Sequence, residues 1–135
     1  MSIRYALEPE LSAEEFRAVL VASTLGERRP VDDLQRLERM LREADIIVTA
    51  RDGRRLVGVS RAITDFSYCC YLSDLAVDAA YQRQGIGKRL IAETHKSAGG
   101  DLVTLNLIAA PAAEQYYPRI GMQQRPSCWA LPRKR

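Results

Sequence analysis

The chain has 135 residues, a formal net charge of +3 and a sequence pI near 8.9. That length predicts one domain, residues 1–135, able to bury about two thirds of its unfolded surface, and no second core. No long Lys/Arg run is interleaved with aromatics, the N-terminal MSIRYALEPE lacks an apolar leader core, and no stretch of about 18 apolar residues occurs, so neither nucleic acid, export nor a membrane span is expected.

Ile3 to Leu7 reads as a first strand. Ser12-Ala13-Glu14-Glu15 then has the form of a capping box, which opens a helix running to about Ala22. Ser23 to Pro30 is a loop, and Asp32 to Ala44 a second amphipathic helix with Leu34, Leu37, Met40 and Leu41 at helical spacing, placed on the surface. Ile46 to Ala50 and Leu56 to Ile63 are strands joined across Asp52-Gly53, a tight-turn signal for an antiparallel hairpin. Tyr68 to Val77 follows as a strand that begins with Cys69 and Cys70. The three cysteines, with Cys128, have no zinc-ligand spacing; they read as small buried hydrophobes in a reducing cytosol, and no metal is expected.

From Tyr71 to Ile91 the order is apolar strand, turn, loop with two glycines, and amphipathic helix. Amides at a helix N-terminus have no intrahelical partner, and the helix dipole places positive charge there, so such a loop suits an anion. Gly85 and Gly87 lack Cβ and permit both positive φ and close approach of a ligand to the backbone, and Arg83, Lys88 and Arg89 add charge. A plain structural turn is the competing reading, since glycine pairs punctuate many turns. Ile86, Leu90, Ile91, Thr94 and Ala98 fall on one face of the helix, which Gly99-Gly100 stop. His95, the only histidine, lies two turns from the loop and reads as a surface or supporting group. Leu102 to Leu107 predicts a strand, Pro111 a short helix ending near Tyr117, and Gln123 to Leu131 a last strand. The whole is an α/β (α+β) chain, β-α-α-β-β-β-α-β-α-β, expected to form a mixed sheet flanked by helices with the strands around the central helix parallel.

Two segments carry a family resemblance. Leu75-Ala76-Val77-Asp78 with Tyr81-Gln82-Arg83-Gln84-Gly85-Ile86-Gly87-Lys88-Arg89-Leu90 contains Q-x-x-G-x-G, and Ala113-Glu114-Gln115-Tyr116-Tyr117-Pro118-Arg119-Ile120-Gly121-Met122 is similar to an A-x-x-F-Y-x-x-x-G-F segment. Together they resemble the GNAT superfamily of acyl-CoA-dependent N-acetyltransferases over most of the chain. The sequence departs from the pattern at Ala110, where many members have Asn, at Met122 in place of Phe, and at Pro118, which disfavours α conformation at Tyr117.

The resemblance implies acetyl-CoA as cosubstrate and an amine as acceptor, with direct transfer of the acetyl group. Its diphosphate would meet the amides of Arg83, Gln84, Gly85, Ile86, Gly87 and Lys88, with Gln82 opening the motif. Its pantetheine arm would pair with Leu75, Ala76 and Val77, between two strands that splay apart, and Asn106 would offer its amide to the arm. Backbone amides near Leu75 to Val77 would polarise the thioester carbonyl. Tyr117 is the implied general acid, because a phenol of pKa about 10 matches a thiolate of similar basicity, and Tyr116 packs beside it. Asp74 interrupts a buried apolar strand and has two readings, a base for the amine, or a carboxylate that caps the backbone or pairs with an arginine. In the family, acceptor choice rests largely on the loop between the first two helices and on segments near the chain end; here Glu27, Arg28 and Arg29, then Asp32 and Asp33, either hold an amino-acid-like compound or solvate the loop. A small-molecule acceptor is expected, with a protein or peptide acceptor and a noncatalytic acyl-CoA-binding module as alternatives. The apolar tail around Trp129 is a candidate homodimer contact.

Overall fold

The computed structural model describes residues 2–135. After β1 (Ile3–Leu7) come α1 (Ala13–Ala22) and α2 (Leu34–Arg42), then β2 (Ile46–Asp52), β3 (Arg55–Thr64) and β4 (Cys69–Val77). The chain continues through α3 (Ile86–Ser97), β5 (Thr104–Asn106) and α4 (Tyr116–Arg119). The strands form one sheet in chain order, antiparallel from β1 to β4 and parallel between β4 and β5. Parallel neighbours need a crossover, and α3 supplies it.

Local chemistry explains the boundaries. Ser12 Oγ accepts from the Glu15 amide at 3.1 Å and starts α1. The Glu15 carboxylate does not return to Ser12, as a full capping box would require; it accepts from Arg51 Nη1 at 2.8 Å and ties the helix to β2. Asp33 caps α2 through the Arg36 amide at 3.0 Å, so this helix starts after the expected Asp32. At the β2–β3 turn Gly53 takes φ +61°, a conformation that costs glycine little.

Two apolar clusters hold the helices on opposite faces of the sheet. Phe16, Leu20, Leu37 and Leu41 of α1 and α2 pack with Ile47, Val59 and Ala76, and Ile86 and Leu90 of α3 pack with Val48, Val57, Ala62 and Leu72. A bulge decides which face β4 presents. Register passes from Ala62↔Leu72 to Arg61↔Asp74 and leaves Ser73 without a partner. Cys70 and Leu72, before the bulge, therefore join the α3 cluster, whereas Ala76, after it, joins the α1/α2 cluster. Asp74 is turned to the α1/α2 side with Ala76.

The final strand expected over Gln123 to Leu131 does not form. These residues are exposed loop, Trp129 is 92% exposed, and no ladder partner lies beside them among the described residues. Pro126 cannot donate to a ladder, and no face of the segment is buried to repay its ordering. The helix expected from Pro111 is also broken in two, a 3-10 turn over Pro111–Ala113 and then α4.

Candidate active site

The loop between β4 and α3, where the sequence predicts an anion cradle, is fixed by side-chain contacts before it turns into the helix. Asp78 caps a 3-10 turn through the Ala80 amide at 2.9 Å and pairs with Arg55 at 2.9 Å, and the Tyr81 hydroxyl donates to Asp52 at 2.7 Å. These contacts brace the loop against the β2–β3 hairpin. Arg83 and Gly85 then take φ +65° and +83°, turning the chain so that α3 opens directly from Gly85 with no side-chain cap on its first amides. Arg83, Gln84 and Lys88 are exposed around this opening, and Ile86 is buried beneath it. Arg89 is drawn elsewhere: it pairs with Glu93 at 2.9 Å and lies 4.7 Å from the centre of the Tyr5 ring.

An open strand edge leads into the cradle. β4 and β5 pair only at Cys69↔Thr104, Cys70↔Leu105 and Tyr71↔Asn106, so Leu72 to Val77 continue with no β5 partner. The Asp78 amide donates to Val57 O across β3 at 2.8 Å. Alternation along an antiparallel ladder therefore aims the backbone groups of Leu75 and Val77 away from β3, at the open edge. Gln82 Nε2 donates to Val77 O at 3.1 Å, which agrees with that direction. Asn106 ends β5 at the point where the strands part.

The Tyr-Tyr segment reaches the same opening. A Cβ built on Gly87 would lie 2.6 Å from the Tyr116 hydroxyl, so Tyr116 fills the space beside the first turn of α3. Tyr117 meets Tyr116 edge to face at 5.2 Å between ring centres. Burial raises the phenol of Tyr117 above its ordinary value, with a smaller push from Tyr116. Pro118 falls in the first turn of α4, where its missing N–H costs nothing, and Tyr117 is helical.

Asp74 is fully buried on the other face of β4, and its two carboxylate oxygens accept from Arg29 Nε and Arg61 Nε. Arg29 Nη2 also donates to Ser73 O at 2.7 Å, and Arg61 Nη2 to Ser73 Oγ at 2.9 Å. Of the two readings of Asp74, pairing with arginine is the arrangement present, and its lone pairs are engaged by guanidinium groups. Arg61 was not singled out from the sequence, although the signal was there. It interrupts the apolar run of β3 as Asp74 interrupts β4, and register makes the two direct partners. His95 Nε2 lies 2.8 Å from Val103 O, a tie between α3 and the lead into β5, and Cys70 is buried while Cys69 is exposed. No group of residues suited to a metal ion is present among those described, nor any helix long and apolar enough to cross a membrane.

Residues 9–126 match the family model described as an acetyltransferase (GNAT) domain. Histone acetyltransferase TAP1 of Glycine max is 31% identical over 74 residues, which cover 54% of this chain and 32% of that protein. The chain thus spans about a third of the length of the curated relatives it first matches. Among solved structures, a probable acetyltransferase from meticillin-resistant Staphylococcus aureus superposes with a TM-score of 0.78 at 24% identity, covering 99% of this chain and 100% of the other. An aminoglycoside N-acetyltransferase in complex with CoA gives a TM-score of 0.76 at 16% identity over 98% and 95% of the two chains.

Proposed function

The chain belongs to the GNAT family of acetyltransferases, and from that membership we propose that it moves an acetyl group from acetyl-CoA to a primary amine of a small molecule by direct transfer. The observation that carries the reading is the departure of β5 from β4 after Tyr71↔Asn106, directly upstream of an uncapped helix opening. An extended amide-bearing arm can add to the edge groups of Leu75 and Val77 as a strand would, while a diphosphate takes the amides of residues 83–88. The exposed Arg83 and Lys88 add positive charge around that diphosphate.

In the proposed reaction the amine lone pair attacks the thioester carbonyl carbon and the C–S bond breaks. The departing thiolate takes the Tyr117 hydroxyl proton, the amine gives its own to water at the open edge, and a solvent proton then restores the phenol. Amides of the β4 edge polarise the carbonyl oxygen as its charge grows. Asp74, already committed to two guanidiniums, holds Arg29 and Arg61 in place and leaves the base role to solvent.

Free-thiol release from acetyl-CoA, measured against a panel of amines, amino acids and short peptides, tests this. Release should depend on the amine and match its acetylation one to one. CoA binding with no amine-dependent release from any panel member would point instead to a noncatalytic binding module, and release only with peptides to a protein acceptor.

A further inference from the structure

We propose that the acceptor carries a carboxylate beside its amine, as amino acids do, and that Arg29 holds that carboxylate next to the bulge of β4; the inference rests on the acetyl-transfer reading above. The charges under the bulge do not cancel. Two guanidiniums share one carboxylate, and among the described residues Asp74 is the only acidic group in ion-pair range of either. An excess positive charge in a largely buried cluster is costly unless an anion comes to it.

Access separates the two arginines. The Arg61 side chain is 8% exposed and that of Arg29 is 19%, over an Asp74 with no exposure, so Arg29 is the cluster's outlet to solvent. Arg29 donates once from each nitrogen, to Asp74, to Arg28 O at 2.9 Å and to Ser73 O at 2.7 Å. A guanidinium has five N–H groups, so one on each terminal nitrogen is left over, the number a carboxylate takes in a bidentate contact. Position completes the argument. Arg29 is hydrogen-bonded to Ser73, and Leu75, whose backbone groups face the open edge, lies two strand positions on, roughly 7 Å away. A carboxylate on Arg29 thus sets a neighbouring amine close to where the acyl group would lie.

Thiol release measured on the wild-type protein with matched pairs, each common amino acid against its carboxamide and against the corresponding alkylamine, tests the proposal without a variant. The free carboxylate should raise kcat/KM by about tenfold or more over the carboxamide, in keeping with a charge-assisted contact. Within each variant the ratio of kcat/KM for the carboxylate to that for its carboxamide reads the preference: Arg29→Gln should remove most of it, and Arg29→Lys should restore part of it. Equal or better turnover of the carboxamides by the wild type overturns the inference while leaving acetyl transfer intact. So does acetyl-CoA binding with no amino acid acetylated. A protein that does not bind acetyl-CoA at all overturns both readings.

Discussion

The Tyr116 hydroxyl stands where a side chain on Gly87 would begin, 2.6 Å from the Cβ position. The glycine is helical, so alanine there would suit the backbone and fail only by contact. Gly87→Ala should therefore gain less than the roughly 1 kcal/mol that alanine ordinarily gives over glycine in a helix, and adding Tyr116→Phe should release that gain, because the next ring atom lies at an ordinary 3.4 Å. Acetyl-CoA affinity should stay reduced in the double variant, since a methyl group still stands beside the amides of the cradle. Thermal unfolding and a CoA titration on the wild type, each single variant and the double variant separate the two effects; full recovery of affinity in the double variant would remove the cradle from the explanation.

Asp74→Asn keeps the shape of the side chain and leaves two guanidiniums without a counter-charge under the bulge. We expect a loss of about 3–5 kcal/mol from the denaturant midpoint at constant slope, as when one partner of a buried ion pair is removed. If the variant folds, its pH–rate profile should keep the wild-type form, because water, not Asp74, takes the amine proton. A vanished acidic limb with normal stability would restore Asp74 as the base.

Tyr117 is held protonated to higher pH than a free phenol, above 10, by burial. With acceptor saturating, kcat should stay level to at least that pH and fall only beyond it, since the donor is lost on ionisation. Tyr117→Phe should lower kcat by about 10²-fold or more and leave acetyl-CoA affinity within a few fold. An unchanged kcat would exclude the phenol as proton donor.

Glu8 accepts from Arg51 Nε and Nη2, both at 2.8 Å, and this lowers its pKa below 4.5, with Thr49 adding a further hydrogen bond. The direction of the shift means that the contribution to stability is complete above the unfolded value and disappears as pH falls through the lower folded one. Wild type should thus exceed Glu8→Gln in stability at pH 6 by less than about 1 kcal/mol, given the partly exposed site, and the gap should close in strong acid. A gap that widens below pH 4 would contradict the assignment.

Leu90 has no solvent exposure and packs α3 against β2 and β3 beneath the cradle. Leu90→Ala should cost about 2–5 kcal/mol in chemical denaturation, and a loss below 1 kcal/mol would show that α3 is not anchored there.

How far a reading of residues could go depended on the range of the interactions involved. Ser12 as a helix cap, the turn at Gly53 and the strand-loop-helix order around Gly85 all rest on contacts within a few positions, and each formed where its pattern lies. The tail from Gln123 to Leu131 looked strand-like by the same measure and did not form one, because a strand exists only against a partner that its own residues do not encode.

Periodicity, caps and glycine placement were enough to define the first three helices, the first five strands and the strand-loop-helix order at Gly85, since those features are settled by neighbours along the chain. Which side chains meet across the site was settled by folding alone. Arg29 lies 45 positions from Asp74 in sequence, and a single unpaired residue, Ser73, turns Asp74 toward it. Side chains alternate faces along a strand, so one inserted residue reverses everything after it, and no local pattern announces where that insertion will be.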